Sequence, residues 1–300
     1  MKNSMLAAGP PLLGLILCAA ACGDDTTGSG GSGGAPQTGA TTTQTGTTGT
    51  GIMQCEEPTP KPGATNDVSF QSATAIARDG DGMPISDAPL QLCGTNLCLY
   101  ATTSGIGQAA FNNDSGMPID RPLFKPGDSL EFGKIGYLFD PAGPSPLPGY
   151  FPRMTDSGSQ FAPGESVSAG GVTLAMPAEG GLTIDELTYD EPAKRTFRAG
   201  RVAAANVTAA TGDPAFAMVY SLGPVDTLFC PPAQVTFENY ANLPAGSAVE
   251  IWGQEVAISE GFGGYGSWIK LDDGTVSADG ATITTDTGLP VLLTVAIRAK

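Results

Sequence analysis

The spacing of glycine and proline limits this chain to short secondary-structure elements. Its 300 residues include 42 glycines and 25 prolines, which recur every few positions along most of the sequence. Both residues destabilise the interior of a helix, whereas both are common in the tight turns that join strands. We therefore expect an all-β protein, built from short antiparallel strands that form two β-sandwich domains.

The first expected sandwich covers residues 66–140. Turns rich in Gly, Pro and Asp separate its strand-like segments, which are residues 68–71, 74–77, 85–92, 97–100, 108–111 and 129–133. Strands of this length at this spacing are typical of an antiparallel sandwich.

Two segments of this region carry a resemblance to a known module. They are residues 82–92, Gly-Met-Pro-Ile-Ser-Asp-Ala-Pro-Leu-Gln-Leu, and residues 103–111, Thr-Ser-Gly-Ile-Gly-Gln-Ala-Ala-Phe. Together they resemble the carboxypeptidase regulatory-like (transthyretin-like) β-sandwich. The resemblance implies a small accessory or adhesion module of seven strands. It does not imply peptidase activity, because the catalytic domain is missing and the sequence has no histidine to hold its zinc.

A second sandwich-like domain is expected over residues 165–300. Residues 141–164 are crowded with proline and glycine, and we interpret them as a linker between the two domains. The strand-like segments beyond this linker are residues 171–176, 234–237, 248–252 and 291–297.

The N-terminus has the layout of a secretory signal peptide over residues 1–21. An apolar run of about ten residues follows Lys2, and it is too short to span a membrane. Three alanines then precede Cys22, which resembles the lipobox of bacterial lipoproteins and implies acylation of that cysteine. Ala19 departs from the pattern, since leucine is usual three residues before the cysteine. Ordinary cleavage after Ala21, which would leave a soluble secreted protein, is the alternative.

Residues 22–65 are expected to be a disordered tether. They consist mostly of Gly, Thr, Ser and Pro, and such a composition buries too little apolar surface to offset the entropy lost on ordering. An acylated Cys22 would attach this tether to a lipid bilayer, because several acyl chains together give stable anchoring.

Charge and histidine content exclude several classes of function. The chain has 30 acidic residues against 14 basic ones, and binding to nucleic acid needs a basic surface. The absence of histidine removes Ser-His-Asp and Cys-His nucleophilic sites and the usual histidine zinc sites. We therefore expect no catalytic residues, no cofactor and no nucleic-acid partner.

Four cysteines remain after Cys22, and in an exported protein an even number indicates disulfides. Cys93 and Cys98 flank four residues that suit a hairpin loop, so we favour a 93–98 bridge together with one between Cys55 and Cys230. Bridges from Cys55 to Cys93 or to Cys98 are the alternatives.

Three further groups of residues have both a structural and a functional interpretation. Asp79, Asp81, Asp272 and Asp279 favour turns, with weak extracellular calcium sites as the alternative. Phe262, Tyr265 and Trp268 alternate with glycines, as in a hairpin with inward-facing rings or in a binding surface with exposed ones. The basic residues favour a solvated strand edge over an anion-binding patch, and they are Lys194, Arg195, Arg198 and Arg201.

Anchor, tether and sandwiches together favour a non-catalytic module. We expect a lipid-anchored lipoprotein of the cell envelope, on the periplasmic or the surface-exposed side of the outer membrane, that binds a glycan or an envelope protein. The alternative is a carboxylate-dependent hydrolase of envelope or extracellular polysaccharide.

Overall fold

The computed structural model describes residues 54–127 and 130–300, and this part of the chain is all-β as the sequence predicts. The signal peptide, Cys22 and most of the expected tether lie outside the described residues. The described part contains one short α-helix, α1 (Val207–Thr211), and two 3-10 turns at Pro192–Arg195 and Ala204–Asn206.

Nine strands lie between Asp67 and Tyr150. They are β1 (Asp67–Val68), β2 (Ser72–Arg78), β3 (Pro89–Cys93), β4 (Cys98–Thr102), β5 (Gln108–Asn112), β6 (Ile119–Asp120), β7 (Leu123–Pro126), β8 (Tyr137–Leu138) and β9 (Leu147–Tyr150). They form sheets in the orders β1-β6, β5-β2-β9 and β4-β3-β7-β8. Along β2, every second residue is a buried alanine, as expected of a strand with one face on a core.

Twelve strands follow between Thr155 and Ala299. They are β10 (Thr155–Gln160), β11 (Ser166–Ala169), β12 (Val172–Ala175), β13 (Gly181–Thr183), β14 (Thr196–Arg201), β15 (Met218–Gly223), β16 (Leu228–Glu238), β17 (Ala248–Gln254), β18 (Trp268–Val276), β19 (Thr282–Thr285), β20 (Leu289–Val291) and β21 (Thr294–Ala299). They form one sheet with the main order β10-β14-β15-β21-β17-β18-β19-β16-β12-β11, and β13 and β20 pair with β16. The end strands β10 and β11 contact each other, so the sheet curls around its apolar core.

The region expected to be a linker is partly strand. β9 pairs parallel with β2, and β10 pairs antiparallel with β14. β9 contains Pro148 but lies at the edge of its sheet, where the missing N–H of proline is tolerated. The high proline content therefore does not identify a linker here, and the predicted linker is wrong for the residues of β9 and β10. Conversely, a strand is predicted at residues 129–133, but residues 130–133 form no regular strand and make only a bridge between Phe132 and Arg153.

One core cluster joins the two regions. Most of its members lie between Val68 and Phe151, but Val202, Phe216 and Val219 belong to the same cluster. Residues 54–300 accordingly belong to a single compact unit. The boundary predicted between the two sandwiches thus runs through a continuous hydrophobic core.

Candidate functional site

A cleft of about 600 Å³ is the place where polar side chains from distant parts of the chain converge. Lys125 of β7 and the Cys93–Cys98 pair contribute from the first region, and Asp226 and Glu255 contribute from the second. Other residues that line it include Lys134, Asp185, Glu57, Pro58 and Phe262. We refer to this space as the Lys125 cleft.

Lys125 is a buried amine within the cleft wall. Lys125 is only 4% exposed to solvent. Its Nζ donates hydrogen bonds to the carbonyl oxygen of Val256 (3.0 Å) and to the hydroxyl oxygen of Tyr265 (2.8 Å). The Tyr265 hydroxyl in turn donates to the carbonyl oxygen of Cys93 at 3.0 Å. Burial lowers the pKa of Lys125 to about 7, and the nearby charge of Lys134 acts in the same direction. A large fraction of this amine is therefore uncharged near neutral pH.

Two carboxylates with raised pKa values line the same cleft. Glu255 is fully buried and accepts hydrogen bonds from the backbone N–H groups of Ala257 and Phe262, both at 3.0 Å. Asp226 is half-buried in a turn closed by Thr227, and its backbone has the left-handed φ of 66° that aspartate tolerates. Burial raises the pKa of Asp226 and of Glu255, and each shift is opposed by hydrogen bonds or by lysine charge.

The aromatic rings singled out from the sequence point inward. Tyr265 is buried, and Trp268 is half-buried with its ring centroid 5.5 Å from that of Phe216. Phe262 is half-buried and lines the Lys125 cleft. The structure therefore agrees with the interpretation of a hairpin with inward-facing rings, and Phe262 alone of the three contributes to the cleft wall.

Glycines in this loop allow another backbone segment to pack against it. A Cβ added to Gly264 would lie 2.8 Å from the Cα of Gly63, and one added to Gly261 would lie 2.6 Å from Pro58 Cγ. Only glycine leaves enough room for this approach. The Gly-rich motif thus seats residues 58–63 beside the cleft.

A buried ionic cluster fixes the same segment. Glu260 accepts hydrogen bonds from the guanidinium of Arg121 and from the N–H groups of Gly63 and Tyr265, and its carbonyl accepts from Lys61 N–H. Burial acts to raise the pKa of Glu260, but the hydrogen bond from Arg121 leads the contacts that hold it below its ordinary value. Asp120 pairs with the other side of the guanidinium. The segment before the first strand, which the sequence assigns to the disordered tether, is therefore held in place by charges as well as by packing, and the predicted tether is wrong for residues 54–65.

Two disulfides lie at this side of the molecule. They join Cys55 to Cys230 and Cys93 to Cys98, which is the pairing that the sequence favours. Cys93 and Cys98 face each other in the β3–β4 register, as expected from the hairpin loop between them. The longer bridge fastens the start of the described chain to β16.

The acidic residues considered for calcium act as turn caps. Asp79 accepts the N–H groups of Asp81 and Met83, and Asp279 accepts the Ala281 N–H and the Ser277 hydroxyl. Asp272 accepts from the N–H and hydroxyl of Thr287 and from Gly288 N–H. Within residues 54–127 and 130–300, no three Asp, Glu or Cys side chains come together in a group that could hold a metal ion.

The four basic residues singled out from the sequence, Lys194, Arg195, Arg198 and Arg201, all form ion pairs with carboxylates. Lys194 pairs with Asp190 and Glu191, and the three arginines pair with Glu186, Asp156 and Glu238. Arg198 and Arg201 lie on β14, which pairs with both β10 and β15, so the expected position at a strand edge is wrong. Ion pairs with carboxylates account for these residues instead.

Comparison with protein-family models, with curated proteins and with solved structures finds no match to this chain. In the described part of the chain, no helix has the length and apolar character needed to cross a membrane.

Sequence reasoning missed all six charged residues of the cleft, which include Lys125, Lys134, Asp226 and Glu255. The signals were present but local: Lys125 interrupts an apolar strand, and Glu255 directly follows one. Asp226 and Lys134 lie in turns between strands, where charged residues are ordinary. Only the pairing of distant strands brings these four residues together, so spacing along the chain carries no indication of the site.

Proposed function

We propose that this chain is the non-catalytic binding module of a membrane-anchored cell-envelope lipoprotein, and that the Lys125 cleft holds a glycan. The observation that carries the proposal is the convergence of Lys125, Lys134, Asp226 and Glu255 in one cleft. Clefts of this size, with a few directed polar groups and apolar walls, are typical ligand sites.

The dimensions favour a glycan over a folded protein partner. A volume of about 600 Å³ accommodates one or two sugar rings, whereas stable protein–protein contacts need a much broader surface. Charged side chains suit sugar hydroxyls, and the half-buried ring of Phe262 gives an apolar surface for a sugar face.

The cleft also lies beside the N-terminal segment of the described chain. Residues 57–60 form part of its wall, and Cys55 is bonded to Cys230. A tether leading from Cys22 would therefore join the module next to its binding site. Mass spectrometry of the mature N-terminus tests the anchor separately: acylated Cys22 supports it, and an unmodified N-terminus at residue 22 contradicts it.

The hydrolase alternative rests on one specific observation. Asp226 and Glu255 line the same cleft, and burial raises the pKa of both, as a general acid in glycoside hydrolysis requires. Turnover of a bound polysaccharide, lost in Glu255→Gln, would favour this alternative.

A polysaccharide panel measured for both retention and product release tests the proposal. Ser259 is exposed at the cleft, so Ser259→Trp blocks the space without disturbing the core. Ser104→Trp is the matched control, because Ser104 is exposed in the loop between β4 and β5, away from the cleft. We expect retention of a glycan without products, lost in Ser259→Trp and kept in Ser104→Trp. Retention that survives Ser259→Trp, or binding of an envelope protein in place of every glycan, would contradict the assignment of the cleft.

A further inference from the structure

Lys125 is the buried amine of the cleft, and like Glu255 it is buried without an ion pair to any described residue. Its Nζ makes two hydrogen bonds, to a carbonyl oxygen and to a tyrosine hydroxyl, and it forms no ion pair with any described carboxylate. A buried ammonium with only neutral partners is costly, and such lysines lose their proton instead. A neutral amine that donates its two N–H groups in this way keeps a free lone pair.

Four ionisable groups surround this amine. Lys134 disfavours the charged form of Lys125, whereas Asp226 and Glu255 favour it, and Tyr265 contacts Nζ directly. Burial outweighs the two carboxylates, so the pKa of Lys125 falls to about 7. A desolvated lysine next to a second cation is the arrangement that makes an amine nucleophilic at neutral pH.

We propose that Lys125 binds carbonyl compounds covalently, with Nζ forming an imine to an aldehyde or α-keto acid held in the Lys125 cleft. The inference rests on the proposed function in so far as the cleft is the ligand site. It adds a chemical class of ligand and a residue that bonds to it. The ammonium of Lys134 suits the carboxylate of an α-keto acid, because it lines the same cleft and has no ion-pair partner among the described residues.

The step needs no oxidant, reductant or metal. The lone pair of Nζ attacks the carbonyl carbon, the C=O π pair moves to oxygen, and a proton from the amine completes a carbinolamine. A neutral carboxylic acid then protonates the hydroxyl, water leaves as the nitrogen lone pair forms the C=N bond, and the iminium proton can return to the carboxylate. Asp226 and Glu255 are suited to this role, because burial raises their pKa values and so increases their neutral fraction.

Reductive trapping tests the proposal on the folded, oxidised protein. Glyoxylate is added at pH 7 with cyanoborohydride, which reduces the imine but not the free aldehyde or the disulfides, and the labelled lysine is located by peptide mapping. About half of an amine with a pKa near 7 is neutral at that pH, against roughly one part in a few thousand for an ordinary lysine. Since nucleophilicity falls with basicity, we expect Lys125 to carry at least about tenfold more adduct than the exposed lysines. These comparison lysines are Lys61, Lys270 and Lys300.

The pH dependence of trapping separates a reactive amine from a merely structural one. Removing the cation in Lys134→Met raises the pKa of Lys125 and moves the midpoint of trapping to higher pH. Removing the anion in Asp226→Asn moves it to lower pH. Lys270→Met, which removes an exposed lysine on β18, is the matched control and leaves the midpoint unchanged. Lys125→Met gives no adduct in the cleft, and circular dichroism checks that this variant folds.

Adduct spread over the exposed lysines, or a midpoint insensitive to Lys134→Met and Asp226→Asn, overturns the proposal. Its failure is distinct from failure of the proposed function. If glycan retention is lost in Ser259→Trp and no adduct forms on Lys125, the proposed binding function is supported and the proposed imine is contradicted. If an adduct forms on Lys125 but no glycan is retained, the proposed imine is supported and the proposed glycan binding is contradicted.

Discussion

The interior of the twelve-stranded sheet and the region around the Lys125 cleft are both well buried, but they are built from different chemistry. The sheet interior is filled by apolar and aromatic side chains such as Phe197, Tyr220 and Phe237. Around the cleft and its bordering loop lie five of the six charged residues that are buried in the described part, namely Asp120, Arg121, Lys125, Glu255 and Glu260. Apolar packing stabilises the first region, whereas the second retains groups that cost free energy to bury.

This difference indicates where the fold has been constrained by something other than stability. Hydrophobic residues of similar volume generally replace buried charges with little loss, so a cluster of charges without full pairing is weak evidence for a structural role. Arg121 and Glu260 are paired and hold a chain segment in place. Lys125 and Glu255 form no ion pair with any described residue, and Lys125 is the amine of the two, which makes it the candidate for nucleophilic chemistry.

The largest effect expected is loss of the long disulfide, which reinforces the cleft side and not the sheet interior. Replacing Cys55 and Cys230 by serine opens a loop with a sequence separation of 175, and the chain-entropy account assigns about 5 kcal/mol to it. Replacing Cys93 and Cys98 opens a separation of only 5, for about 2 kcal/mol. Urea unfolding of both double variants measures the difference, and equal losses would contradict the entropic account.

Substitutions in the two regions should next show similar losses of stability with different pH dependence. Phe237→Ala removes a fully buried ring and should cost about 3–5 kcal/mol at any pH. Arg121→Met leaves Glu260 and Asp120 buried without their cation and should cost about 3–5 kcal/mol at pH 7.

The sign of the pH effect follows from the carboxylates. In the native protein, contacts hold the pKa of Glu260 and of Asp120 below their ordinary values, so their contribution to stability is present above about pH 4.5 and is lost as the pH falls through the folded-state pKa values. The deficit of Arg121→Met should therefore shrink in acid, whereas that of Phe237→Ala stays constant. Denaturant unfolding at pH 7 and pH 3.5 makes the comparison, and parallel behaviour of the two variants would remove the distinction between the regions.

A smaller effect should come from Lys125 on the alkaline side. Its pKa is lowered to about 7 in the folded protein, below the ordinary value of 10.5, so between these limits the unfolded chain binds more protons. Stability should then rise with pH over this range by up to about 1.4 kcal/mol per pH unit. Lys125→Met should lose this slope, whereas Lys270→Met should keep it. Urea midpoints from pH 7 to pH 9.5 give the measurement, and a native protein without the slope would show that Lys125 stays charged when folded.

The two regions also differ in how far the sequence predicts them. The alternation of apolar and polar residues in β2 and the apolar runs of β17 and β21 predict these strands directly, because the burial of a strand determines the residue types at neighbouring positions. The hairpin between Cys93 and Cys98 is also local, and so is its disulfide. The sequence does not predict the strand at Leu147–Tyr150, because its proline suggests a linker although proline is tolerated at a sheet edge. The cleft depends on contacts between β7 and the chain more than a hundred residues later, which no local pattern records.

The smallest effect expected is that of calcium, and it tests whether carboxylates outside the cleft are available to a ligand. Asp79, Asp272 and Asp279 use their oxygens to accept N–H and hydroxyl hydrogen bonds within turns, so calcium would have to displace these contacts. We expect the melting temperature to stay within about 1 °C on addition of millimolar calcium. Asp279→Asn retains an oxygen acceptor and should likewise show no calcium response. A shift of several degrees that disappears in Asp272→Asn would instead reveal a metal site, and charge outside the cleft would then also serve binding.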